Sequence, residues 1–389
     1  MFRHSVPAFL LVACLAASGC GKKPVGPAAP GEPAKPAAQK PVKLVIGVLA
    51  PTTGPDAAKG QAVMAGLRLA IKQKGAAVGL DASSIEARDC GVAGSDELGL
   101  ARTLVNVEGA GVLVGPLDEK GVESLDDLSR QKQVPLFTTA PGAMKLSLLD
   151  CAVRRLTFTD AEEGAAMAEL AAKKGYRSAA AFVDTSSNAS EARVAAFTER
   201  FLRFGGHVIS QVAYSKGDAG FDHIVRMASP GKSDASAKPD VFYLSGSRAE
   251  SAGIIEEMKK QNVLGAVLGS SDWTDGEFPA DVSPGAGVYA PCRFFAGAGN
   301  PAALTFASAV SAESKREPSA YDAMGYDAGL AIIDALTRGG DFAESVGKVK
   351  LLPGVTGKLT ARDGSFASQV TILRLKGKAF EFDSVVDIK

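Results

Sequence analysis

The stretch that most constrains this chain is Val42–Ala70, VKLVIGVLAPTTGPDAAKGQAVMAGLRLA. Lys43–Leu49 carries Leu, Val and Ile without polar alternation, which predicts a strand buried on both faces. A parallel sheet covered by helices on both sides buries strands in this way. Pro51-Thr52-Thr53-Gly54-Pro55 then forces a tight turn, because Pro fixes φ and Gly accepts a positive one. Asp56 stands where it can cap a helix whose Val63, Leu67 and Ile71 recur along one face. Such a unit aims backbone N–H groups across the carboxyl end of its strand, where ligands bind in open α/β sheets.

The alternation continues. Ile85–Asp89, Gly111–Gly115 and Val134–Thr138 read as strands, with helices over Ser95–Glu108 and Asp118–Gln131. A second set follows, with helices over Glu162–Lys174, Ser190–Phe204, Phe221–Ala228 and Arg248–Gln261. Its strands are Ser178–Asp184, His207–Tyr214, Val241–Leu244 and Ala266–Gly269. Pro318–Arg338 predicts a long helix, and Gly357–Thr360 and Val370–Leu375 late strands. The expected fold class is α/β, two doubly wound Rossmann-like lobes joined by a three-strand hinge. Residues 42–156 and 293–352 are expected in the first lobe, and 157–292 and 353–389 in the second. The crossovers fall near Arg154–Thr159, Pro291–Phe294 and Leu352–Gly354, the arrangement of a hinged cleft.

The N-terminus is of another kind. Arg3 and His4 precede the apolar run Val6–Ala17, too short to span a bilayer, and Ala-Ser-Gly-Cys ends at Cys20. This looks like a bacterial lipoprotein signal over residues 1–19, with Cys20 the lipidated residue and the chain held to a membrane facing the periplasm. Gly21 after the Cys, where an inner-membrane lipoprotein of enteric bacteria tends to carry Asp, leans toward the outer membrane. Residues 20–41 are then lipidated Cys and a Pro/Ala tether, reaching about 60 Å at roughly 3.1 Å per residue. The 43 basic residues balance the 43 acidic ones, so nothing in the charge favours nucleic acid. Beyond Cys20 the cysteines are Cys90, Cys151 and Cys292, so at most one internal disulfide forms, with Cys90 and Cys151 the candidate pair. Only His207 and His223 follow the leader, which argues against a metal site.

Five segments in order carry a likeness: GVLAPTTGP after the first strand, then VLVGPL, VPLFTTAP, SAYDAMGYDAGLAIIDAL and GVTGKLTARDGSF, the last two late in the chain, with the strand–helix alternation between them. Together they resemble the type I periplasmic-binding fold, and more narrowly the leucine/isoleucine/valine-binding protein family of ABC-transporter receptors. The resemblance implies a small, amino-acid-like ligand, no cofactor, and closure of two lobes around it. It implies a ligand carboxylate held after the third and fourth strands, where this chain has Asp118, Glu119 and Lys120, then Thr138, Thr139 and Ala140. Glu119 would repel a carboxylate there. The opening turn and helix offer Thr52 and Lys59, and the second lobe Asn188, Ser245, Ser247 and Arg248. The ammonium is implied at Asp272, beside Trp273, the only Trp, which is expected to face the cleft; Tyr321 matches a cleft aromatic. From the residues alone, Asp118 fits a helix N-cap equally well, Asp272 a turn cap and Trp273 a core position.

Enzyme signatures fail. Gly231-Lys232-Ser233 has Arg226 where a phosphate loop needs its leading Gly. Two Ser-x-x-Lys matches, at Ser129 and Ser229, have no Lys-Thr-Gly to follow, and no Gly-x-Ser-x-Gly elbow occurs. The expected function is a lipid-anchored receptor that hands a small polar solute to an ABC permease. The alternatives are an outer-membrane lipoprotein that regulates a cell-wall synthase (a penicillin-binding protein) by protein contact, and a sensory ligand-binding subunit.

Overall fold

The computed structural model describes residues 43–91, 96–142, 152–218, 220–229, 238–274, 278 and 287–388. The leader, Cys20 and the tether lie outside them, as does Cys151, so the expected Cys90–Cys151 bridge falls outside the described residues. Cys90 itself is buried, and burial next to Glu97 pushes its thiol up to about 12.

β1 (Val45–Ala50) is the strand the opening stretch predicts, and Ile46, Val48 and Leu49 have no exposed surface. It leads into α1 (Ala57–Lys74). β2 (Ile85–Asp89), α2 (Glu97–Asn106), β3 (Ala110–Val114), α3 (Glu119–Lys132), β4 (Leu136–Thr138) and β5 (Val153–Arg155) complete the first passage. All the pairings among β1–β5 are parallel. The chain then crosses to α4 (Asp160–Lys173), β6 (Ser178–Asp184), α5 (Asn188–Arg203), β7 (His207–Tyr214), α6 (Asp222–Ala228), β8 (Val241–Leu244), α7 (Arg248–Lys260), β9 (Ala266–Leu268) and β10 (Val288–Cys292). It returns as α8 (Pro301–Ser314), α9 (Ala320–Arg338), α10 (Phe342–Gly347), β11 (Leu352–Pro353), β12 (Lys358–Arg362) and β13 (Ser365–Ala367), and ends with β14 (Gln369–Lys376) and β15 (Ala379–Asp387).

Two sheets result. One has the order β11-β12-β13-β5-β4-β3-β1-β2 and the other β15-β14-β10-β9-β8-β6-β7. The chain passes between the sheets at 156–159, at 293–300 and at Ser368, the last expected at 352–354. β12 and β13 form a hairpin that joins the first sheet, with Ser365 paired to Arg155 of β5, so the chain changes sheets at Ser368 rather than at 352–354. Residues 353–367 thus belong with the first lobe. Gly354 is used otherwise: a Cβ there would press on the buried Asp327 carboxylate. That carboxylate accepts from Val355 N (2.7 Å), Thr356 N (2.9 Å) and Thr356 Oγ1 (2.6 Å).

In each lobe one helix pair touches backbone to backbone. A Cβ on Gly66 of α1 would fall on the Asp322 carbonyl of α9, and one on Gly325 would fall on the Val63 carbonyl. In the second lobe a Cβ on Gly164 of α4 would fall on the Arg193 carbonyl of α5. Glycine is required at these crossings because any side chain would push the helices apart.

Candidate functional site

The residues expected to bind a ligand lie mostly beyond the carboxyl ends of the parallel strands. In the first lobe, the turn after β1 is tied down by Asp89 at the end of β2, which accepts from Thr52 N (2.7 Å), Thr53 Oγ1 (2.8 Å) and Gly91 N (2.9 Å). These donors, Thr52 N first, hold the Asp89 carboxyl far below its usual range. Lys59, on the first turns of α1, pairs with Asp56 at 2.8 Å and lies 5.8 Å from the ring centre of half-buried Tyr321 at the start of α9. After β3, Asp118 caps α3, accepting from Gly121 N at 3.1 Å. The Glu119 side chain fills the space that a Cβ on Gly142 would need, so carboxylates line this turn. Lys120 is exposed. After β4, Thr138 spends its hydroxyl internally, donating to Pro116 O (2.8 Å) and accepting from Ala140 N (3.0 Å). Ala140 is fully buried. Thr139 is also buried, and its Oγ1 has no hydrogen-bond partner among the described residues.

The second lobe presents an ion cluster. Arg193 reaches from the buried face of α5 to three carboxylates: Asp160 through Nη2 at 2.8 Å, Glu163 through Nε at 3.2 Å and Asp272 through Nη1 at 3.1 Å. Burial alone would lower the guanidinium's pKa, but Glu163, Asp272 and Asp160 outweigh it and leave it raised. Glu163 accepts from Ser271 N (3.0 Å) and Ser271 Oγ (2.6 Å), and its complete burial pushes its carboxyl up against the pull of Arg193 and Arg293. Asp272 is the member that reaches the surface, its side chain 45% exposed. Its second oxygen lies 3.8 Å from Arg293 Nη1. Desolvation works against its charge, yet Arg193 and Arg293 hold its carboxyl below the ordinary value, with Lys59 adding to them. That last effect brings α1 of the first lobe within electrostatic range of the β9 end of the second.

The remaining expected residues divide by role. Ser245 is buried, sharing a hydrogen bond with Ser190 Oγ (2.5 Å) and donating to Phe182 O (3.0 Å). Ser247 caps α7 and bonds Glu250. Asn188 and Arg248 are the first residues of α5 and α7, the one exposed and the other partly buried. The expectation that Trp273 faces the cleft is corrected. Its indole is fully buried against Phe278 (4.8 Å between centroids) and donates to Gly246 O at 3.4 Å. Gly269 makes this possible, since a Cβ there would run into the indole.

The sequence matches the periplasmic binding protein family from residue 43 to residue 379. The chain belongs to that family. Periplasmic binding proteins are solute-binding proteins, not enzymes. No curated protein matches the sequence. Among solved structures, the leucine-binding protein LivK of Thermotoga maritima is 24% identical, with 88% of this chain and 99% of that one aligned and a TM-score of 0.67. A putative branched-chain amino acid ABC transporter protein of Rhodospirillum rubrum is 21% identical over 88% and 100%, with a TM-score of 0.75. A solute-binding protein of R. palustris in complex with benzoate is 20% identical over 89% and 96%, with a TM-score of 0.66. These likenesses carry the two-lobed fold.

Within this binding protein, the residues that sequence reasoning missed are Arg193, Arg293, Asp160 and Glu163. Their signal was present. Asp160, Glu163, Gly164, Met167 and Ala171 form one helical stripe, and Ser190, Arg193, Val194, Phe197 and Phe201 another. A charge on an apolar stripe demands a buried partner of opposite sign.

Proposed function

We propose that this periplasmic binding protein captures a small amino-acid-like solute between its lobes and delivers it to an ABC permease, with Cys20 lipidated as its membrane anchor. The observation that carries the reading is Asp272: a half-exposed carboxylate at the end of β9, kept ionised by Arg193 and aimed by it. An ammonium group desolvated in a closing cleft needs such a charge-assisted acceptor, fixed in advance. The leucine-binding neighbour is in keeping with this class, while the benzoate complex marks how far ligands differ on one fold.

The test is thermal melting of the full chain against amino acids, small peptides, polyols and organic acids. A ligand at a hundred times its Kd adds about 2.7 kcal/mol of stability. Asp272→Asn is expected to weaken binding of the ligand so found by about 1.5–3 kcal/mol while the protein stays folded. Unchanged affinity would remove Asp272 from the site, and a flat response across the panel would move the assignment to the protein-contact regulator. For the anchor, Cys20→Ala is expected to shift the protein from the membrane pellet to the soluble periplasmic fraction; continued pelleting would refute lipidation there.

A further inference from the structure

Three passages join the lobes covalently, and one side chain joins them again without a covalent bond. Arg362 is the last residue of β12, in the first sheet. Its Nη1 donates to Ile388 O at 2.8 Å, and its Nη2 lies 3.5 Å from Glu162 Oε1. Both partners belong to the second lobe. Ile388 follows β15 and packs its side chain against that lobe's core. Glu162 stands in the first turn of α4, where its other oxygen accepts from Thr159 N at 2.7 Å. The donor is charged and its side chain is only 33% exposed, so the contact is of the stronger kind.

The order of the strands places this contact behind the hinge. The chain changes sheets beyond β5, beyond β10 and between β13 and β14. In the first sheet β4, β3 and β1, which lead to candidate ligand residues, lie on one side of β5 and β13, and β12 lies on the other. In the second sheet β9, β8 and β6 lie on one side of β10 and β14, and β15 lies on the other. A rotation about the hinge strands that draws the ligand-facing ends together therefore draws β12 and β15 apart. Each stands one strand spacing from the hinge strands, about 4.8 Å. A rotation of about 20° separates points at that radius by roughly 1.7 Å, which takes a bond of 2.8 Å out of hydrogen-bonding range. The bonds of Ser368, at the hinge itself, are spared. Its hydroxyl donates to Lys358 O, and its carbonyl accepts from Ile388 N at 2.9 Å.

We propose that Arg362 is a latch on the back of the hinge: its grip on Ile388 and Glu162 opposes closure of the lobes and is released when they close. The inference rests on the reading that the lobes close around a solute, and adds the contact that holds them open. Arg362 touches no candidate ligand residue, yet it sets how tightly the ligand is held. Whatever the latch contributes to the open form is subtracted from the free energy of binding. A closed form scarcely populated in the free protein lowers the apparent affinity by that same fraction.

The experiment measures the distance between nitroxide amino acids placed at Glu123 of α3 and Glu191 of α5, both exposed, in the full chain without ligand. Arg362→Met is expected to raise the closed fraction about tenfold, and to lower the Kd of the solute found by thermal melting by the same factor. Arg338→Met breaks a pair within α9 alone and is expected to change neither. An unchanged distance distribution in Arg362→Met, a shift toward wider separation, or an equal shift in Arg338→Met overturns the latch. Should Arg362→Met fail to fold, Glu162→Gln decides. Gln keeps the bond to Thr159 N and loses the charge that faces Arg362, so a smaller shift in the same direction is expected, about two- to threefold. No shift overturns the proposal. If no solute narrows the wild-type distance, the capture reading falls, while the latch stands or falls on the distances of the free protein.

Discussion

The two lobes repeat one architecture and treat buried charge differently at the equivalent place. Each has a helix pair in backbone contact through glycine, α1 with α9 and α4 with α5. In the first lobe the buried carboxylates near that contact both stand on α9: Asp322 pairs with half-exposed Arg316 just before the helix, and Asp327 is satisfied by neutral donors. In the second lobe the contact brings Arg193 of α5 onto Asp160 and Glu163 of α4. The difference teaches that close helix packing can leave each charge to partners outside the helix pair, as in the first lobe, or enclose an ion cluster between the two helices, as in the second. A buried ion cluster costs desolvation that its own attractions only partly offset, so a cluster aimed at one half-exposed carboxylate is better understood as positioning than as stabilisation.

The largest effect should come from breaking the enclosed cluster. Arg193→Met leaves Asp160 and Glu163 buried without their cation, and a loss of about 3–5 kcal/mol is expected in urea unfolding. A loss below about 1 kcal/mol would mean that the carboxylates are neutral without it. Next come the two glycine contacts. Gly66→Ala and Gly164→Ala should each cost about 1–3 kcal/mol as the helices separate. Only Gly164→Ala displaces the Arg193 backbone, so it alone should also weaken ligand binding. Equal effects on binding would erase the contrast between the lobes.

The smallest effect sharpens the comparison through pH. Burial pushes the Asp327 carboxyl up to about 6, against the donors Thr356 and Val355 and the distant charge of Lys74. A folded pKa above the unfolded one gives stability that is fully present below the unfolded value, near 4, and lost as pH rises through 6. Asp327→Asn is therefore expected to cost about 1–3 kcal/mol at pH 5, with the gap to wild type narrowing above pH 6. A gap that widens with pH would show that Asp327 is ionised throughout and serves as a charged acceptor.

Much of the fold was legible because it is local. β2, β6, β7 and β8 have the bounds expected from the sequence, and Asp118 caps α3 through its own side chain. What escaped depends on partners distant in the chain. β13 is three residues long and is defined by pairing with β5, so no run of apolar residues announces it. β10 was not expected as a strand: it contains Pro291 and is defined by pairing with β14 and β9. At the site, hydroxyl residues such as Thr138 and Ser245 were visible as donors, but whether a donor is already spent is decided by Pro116 and Ser190, far off in sequence. Trp273 was misjudged because the space left by Gly269 lies on the core side of the turn.

The single-residue pass at Ser368 has a mechanical meaning. The passage at 293–300 has slack, whereas β13 and β14 are joined by one residue with two soft dihedral angles. A rotation that closed the lobes, as the proposed solute capture requires, would be centred where slack is least. From β13 to β2, and from β14 to β7, each sheet extends five strand spacings, a lever arm of roughly 24 Å at about 4.8 Å per spacing. Each 10° of rotation then carries the far strands about 4 Å. A side chain near the pivot would move far less.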